Sequence, residues 1–163
     1  MRPPAIVAPM RAILILLLTL GLFATAHAAE AVTGRVLKVL PLLVDLQGRT
    51  ALSPSLFDRD AYQAKLRQET NQISAIRYDV QWSAKNLGEN KLKIQLELRG
   101  VGTTNNLPKF KTLIAEATTG FFENWTPLTL SGDEYKSFGA VTAWRATLWN
   151  GDQMVGEQKS FLW

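Results

Sequence analysis

Cysteine is absent from these 163 residues, and histidine occurs once, as His27. Without cysteine there can be no disulfide staple, thiolate metal centre or lipid-anchored N-terminal cysteine. If His27 is removed with a leader, imidazole metal ligation, haem ligation through His or Cys, and Ser-His-Asp or Cys-His nucleophile systems go with it. No apolar run reaches the ~20 residues of a membrane-spanning helix. Lys and Arg never form a block, so the concentrated basic footprint of nucleic-acid binding is missing too. A fold so deprived of cross-links must rest on its apolar core, which a chain of this length can build.

What is present begins with an address. Arg2 and Arg11 flank the start of an apolar run over residues 12–23, Gly21 interrupts it, and Ala26-His27-Ala28 places small residues where a signal peptidase cuts. Residues 1–28 are therefore expected to be a cleavable signal peptide. Residues 29–163 are expected to be a single domain in the periplasm or secreted, with no membrane span after cleavage. Arg2 and Arg11 are two of the 18 basic residues, and none of the 14 acidic residues lies in this segment, so the remainder is close to neutral.

Period-two alternation dominates that remainder. Ile76, Tyr78, Val80, Trp82 and Ala84 alternate with Arg77, Asp79, Gln81 and Ser83, and Leu92, Ile94, Leu96 and Leu98 alternate with Lys93, Gln95 and Glu97. Each run reads as a half-buried strand, and the turn-like residues 86–90 between them predict an antiparallel hairpin. Residues 35–46 read as a first strand with Leu40, Leu42, Val44 and Leu46 on its apolar side, and Pro41 suggests an edge or a bulge. Shorter strands are expected at 109–118 and 125–130, where Pro127 again suggests an edge. Asn150-Gly151-Asp152 between 140–149 and 154–163 predicts a closing hairpin, with a three-residue loop setting Leu148 opposite Met154 and Arg145 opposite Glu157. Asp58 could cap a short helix over 58–68, and Ser131 with Glu134 matches a capping box.

Strands at such spacing describe a β-sandwich. Trp82 on an early strand, Tyr135 before the penultimate strand, the run Ala143-Trp144-Arg145-Ala146-Thr147-Leu148-Trp149, the Asn150-Gly151 turn and the ending Ser160-Phe161-Leu162-Trp163 resemble those of immunoglobulin-like and fibronectin type III-like domains. The chain is also similar to uncharacterised exported bacterial proteins carrying such sandwiches. That resemblance implies an all-β, immunoglobulin-like antiparallel β-sandwich of about seven strands with a short helical insertion. It names an architecture and no activity.

Two carboxylates can suffice for glycoside hydrolysis, so Asp58 with Asp60 and Asp133 with Glu134 are the acidic pairs to consider. Both pairs lie where helix starts recruit acids. Asp58 and Asp60 also offer hard oxygen ligands for calcium, without the glycine and terminal glutamate of a calcium-binding loop. Trp82 and Trp144 fall on apolar rows and are expected in the core. Phe121, Phe122, Trp125 and Trp149 fall outside those rows and are the candidate ligand contacts. The expected function is a non-catalytic binding module without a cofactor, making protein–protein contact in the cell envelope. The alternative is carbohydrate binding by exposed aromatics, since sugar rings stack on flat side chains. A carboxylate-dependent glycosidase comes third, and a small outer-membrane β-barrel ending on Trp163 is the structural dissenter.

Overall fold

In a computed structural model, which describes residues 32–86, 91–102, 106–120 and 123–163, the alternation resolves into two antiparallel sheets. The strands are β1 (Thr33–Asp45), β2 (Ile73–Lys85), β3 (Leu92–Val101), β4 (Pro108–Glu116), β5 (Asn124–Ser131), β6 (Ala140–Asn150) and β7 (Gln153–Lys159). Helix α1 (Leu56–Gln68) and the one-turn 3-10 helix Thr70–Gln72 lie between β1 and β2, and α2 (Gly132–Phe138) joins β5 to β6. One sheet has the order β1-β2-β5, the other β4-β3-β6-β7. This is an antiparallel β-sandwich, with seven strands in two sheets among the described residues.

The charged rows of β2 and β3 both face outward, so the apolar rows can meet only across the space between the sheets. Val80, Ile94, Leu96 and Leu148 are fully buried there, with Tyr78, Trp82, Leu98 and Leu130 1% exposed. The predicted β2–β3 hairpin is therefore corrected: β2 pairs with β1 and β5, while β3 pairs with β4 and β6. Leucine rows that face one another are also the reverse of a lipid-facing barrel, which would turn them outward.

Strand β1 departs from its expected parity. Its register shifts between Val36 and Lys38, a bulge at Leu37 that brings Val39 onto the same side as Val36. Leu42 and Val44, expected on the core side, end on the opposite face. They are buried there together with Ala75 and Leu66, outside the main core cluster and where α1 packs on β1. Leu46 lies beyond the strand and is exposed. Pro41 and Pro127 do sit on edge strands, β1 and β5, where a missing N–H costs no ladder bond.

Helix α1 is held by two buried polar side chains. The Gln63 amide accepts from Leu43 N–H at 2.7 Å and donates to the Leu43 and Thr50 carbonyls at 2.8 and 2.9 Å. Asp45, 1% exposed, accepts from the Tyr62 hydroxyl at 2.6 Å, from Arg49 Nε at 2.8 Å and from the Gln47 and Arg49 backbone N–H groups. The N-cap is Ser55, whose hydroxyl accepts from Asp58 N–H at 3.4 Å; Asp58, the expected cap, accepts instead from Ser53 Oγ at 2.6 Å. At α2 the capping box does not form: Ser131 makes no side-chain cap bond, and Glu134 pairs with Lys111 at 2.6 Å.

The closing hairpin has a tighter turn than expected. Asn150 pairs with Gln153 around Gly151 (φ 58°) and Asp152, and a bulge at Val155 sets Leu148 opposite Gly156 and Arg145 opposite Lys159. Beyond the bulge that is a two-residue shift from the expected register, which keeps Gly156 inward and Glu157 outward, whereas Met154, expected opposite Leu148, is corrected to a position opposite Trp149 on the outer side, where it is exposed. Gly156 also touches the other sheet. A Cβ there would stand 3.0–3.1 Å from Arg35 Cα, Arg35 N and the Gly34 carbonyl oxygen, so β7 meets β1 at this corner through bare backbone. Gly156→Val should cost about 1–3 kcal/mol, because β1 must move to admit the side chain. A urea midpoint equal to wild type would show that the strands do not touch there.

Candidate functional site

The outer face of the four-stranded sheet brings exposed aromatic, apolar and charged side chains together. On β4 the polarity is inverted relative to the other strands. Lys109 and Lys111 share the inward row with Leu113 and Ala115, which pack on the core, while Phe110, Thr112 and Ile114 point outward. Lys111 is accommodated at the sandwich end by its ion pair with Glu134. Phe110 and Ile114 are left 72% and 64% exposed on an edge strand.

Beside them, β3 and β6 contribute a stacked charge cluster. Arg145 Nε donates to Glu97 Oε2 at 2.6 Å across the β3–β6 ladder. The last residues do not continue β7. Ser160 N–H donates to the Trp144 carbonyl, Ser160 Oγ accepts from Trp144 N–H at 3.0 Å, and the chain turns so that Trp163 lies over the sheet. The Arg99 guanidinium is 3.9 Å from the Trp163 ring centroid and that of Arg145 is 5.2 Å away, within cation–π range. Glu97, Arg99, Phe110, Arg145 and Trp163 line a shallow concavity of about 260 Å³. At the other end of this face Lys93 Nζ lies 5.6 Å from the Trp149 ring, and Lys91 pairs with Glu116 at 2.9 Å, a bond that raises the Lys91 pKa.

The sequence-derived candidates are dispersed. Trp149 lies on this outer face, half-buried, its indole N–H donating to Thr147 Oγ1 at 2.8 Å. Trp125 lies on the outward row of β5, on the far side of the sandwich, with its indole N–H on Glu123 Oε2 at 2.8 Å. The structure therefore does not bring Trp125 and Trp149 together as one stacking platform. Phe121 and Phe122 lie outside the described residues. Trp82 is core, its indole N–H donating to Thr126 Oγ1 at 3.0 Å. Trp144, expected to be equally buried, is only half-buried and packs at the core's margin.

The acidic pairs are engaged in local structure. Asp58 bonds Ser53, Asp60 pairs with Arg59 at 2.9 Å, and Glu134 pairs with Lys111. Among the described residues no group of three His, Cys, Asp or Glu side chains could hold a metal ion, and no helix is long and apolar enough to cross a membrane. Trp163 was missed as a surface residue because the apolar ending reads as a strand, and Ser160 is the one polar residue that marks the turn. The outward Phe110 and Ile114 were legible as an alternation whose polarity runs backward.

The chain matches no protein-family model, and no curated protein or solved structure matches it.

Proposed function

We propose that residues 29–163 form a non-catalytic binding module in the periplasm or outside the cell, and that it contacts a protein partner of the cell envelope through the outer face of the four-stranded sheet. The observation that carries this reading is the pair Phe110 and Ile114, both largely exposed on edge strand β4 beside the Arg99–Trp163–Arg145 stack. Aromatic and arginine side chains are the groups enriched in protein interfaces and their hot spots. A free strand edge adds main-chain hydrogen bonds for a partner strand. The charged start and apolar run of residues 12–23 support export. The strand order is compatible with the architecture of immunoglobulin-like or fibronectin type III-like domains.

A photo-crosslinking residue at Thr112, outward between Phe110 and Ile114, should yield one discrete protein adduct in intact envelopes. The same residue at Thr129, on the opposite sheet, should not. Phe110→Asp combined with Ile114→Asp should abolish the adduct while leaving thermal unfolding within a few degrees, because neither side chain is buried. Adducts of equal yield from both faces, or none from Thr112, would refute this reading. Retention on polysaccharide that depends on Trp149 and not on the β4 pair would favour the glycan alternative.

A further inference from the structure

At one end of the sandwich the sheets part around a cleft of about 360 Å³. Its walls are Pro41 and Leu43 of β1, Ile76 and Tyr78 of β2, Tyr135 of α2, residues 140–142 and Trp144 of β6, and Ser160. None of these side chains is charged, and three are aromatic. The volume falls in the range of small-molecule sites, which are concave, apolar and furnished with a few polar groups.

Tyr78 supplies such a group. It is 1% exposed, yet its hydroxyl has no hydrogen-bond partner among the described residues, although it lines the cleft. A hydroxyl that meets no protein partner and opens on a cleft is satisfied there by water or by a ligand. Burial, reinforced by Tyr135, raises the Tyr78 pKa, so the phenol keeps its proton and presents a donor. An anion or cation entering here would lose its hydration without meeting a counter-charge. A flat ring would instead meet three aromatic rings, which favour offset or edge-on packing.

We propose that this cleft binds a neutral aromatic small molecule carrying a hydrogen-bond acceptor, which the Tyr78 hydroxyl receives. The site lies between the sheets and does not depend on the outer face assigned to a protein partner, so either reading can fail while the other stands.

Acetophenone and ethylbenzene are matched probes, nearly equal in size and differing in the carbonyl acceptor. With the tryptophan indole nitrogens labelled, titration followed by NMR should move the Trp144 resonance and leave those of Trp125 and Trp149 in place. Acetophenone should bind at least about tenfold more tightly than ethylbenzene, the discrimination one satisfied buried donor can supply. Tyr78→Phe, which removes only the hydroxyl, should erase that difference, and Val141→Phe, which fills the cleft, should weaken both probes. No movement of Trp144, equal affinity for the two probes in the wild type, or discrimination that survives Tyr78→Phe would each overturn the proposal.

Discussion

Replacing Trp82 with alanine should destabilise the fold by about 3–5 kcal/mol, the range for buried large aromatics. The ring is 1% exposed, on an inward row with fully buried Val80, and its indole N–H is satisfied by Thr126 in the neighbouring strand. Alanine leaves a cavity that close-packed strands can fill only in part, and strands the Thr126 hydroxyl. Thr126→Val should cost less, about 1–3 kcal/mol, by leaving the indole N–H unpaired. Trp149→Ala should cost about 1 kcal/mol or less, since the ring lies on an outer face. Trp144→Ala should fall between them. Urea unfolding of the four variants checks the ranking; equal losses at Trp82 and Trp149 would mean that both sheet faces are buried.

Asp45→Ala should cost about 2–4 kcal/mol, because four donors, the Tyr62 hydroxyl, the Gln47 and Arg49 backbone N–H groups and Arg49 Nε, lose a charged acceptor at once. The same site should make stability depend on acid. Burial alone would raise the Asp45 pKa, but the Tyr62 hydroxyl, the Arg49 backbone and guanidinium and the Gln47 N–H together outweigh it and hold the carboxyl well below the usual range. A carboxylate depressed in the folded state contributes fully above its unfolded pKa, near 4, and loses that contribution as pH falls further. Wild-type stability should therefore decline below about pH 4 more steeply than that of Asp45→Asn, whose deficit is set at neutral pH. Parallel acid curves for the two proteins would show that Asp45 is not ionised in the fold.

Period-two patterns reveal which side of a strand is buried, and on β2 and β3 they did so residue by residue. They do not reveal which strand lies alongside. Ile76–Ala84 and Leu92–Leu98 were close in sequence and matched in pattern, yet their apolar rows satisfy each other better across the core than side by side in one ladder. Bulges are equally silent. An extra residue at Leu37 reverses the faces of the rest of β1, and one at Val155 turns Met154 outward while sliding the rest of β7 by two residues on unchanged faces. For the surface, the opposite parities of Leu148 and Trp149 were readable. The placement of Trp163 over Arg99 and Arg145 was not, since it depends on a turn at Ser160 that brings together residues remote in sequence.

The two bonds that the Gln63 amide makes with Leu43 occupy main-chain groups that a neighbouring β-strand would otherwise claim. Helix α1 thus acts as a stopper on one rim of its sheet and keeps a second molecule from extending the ladder there. Such protection is the usual defence of rims against aggregation. Its counterpart on the other sheet, β4, has Phe110 and Ile114 exposed beside its rim. If α1 came loose, through loss of either Gln63 or Asp45, the protein would offer two sticky rims in place of one, and molecules could then join head to tail into chains.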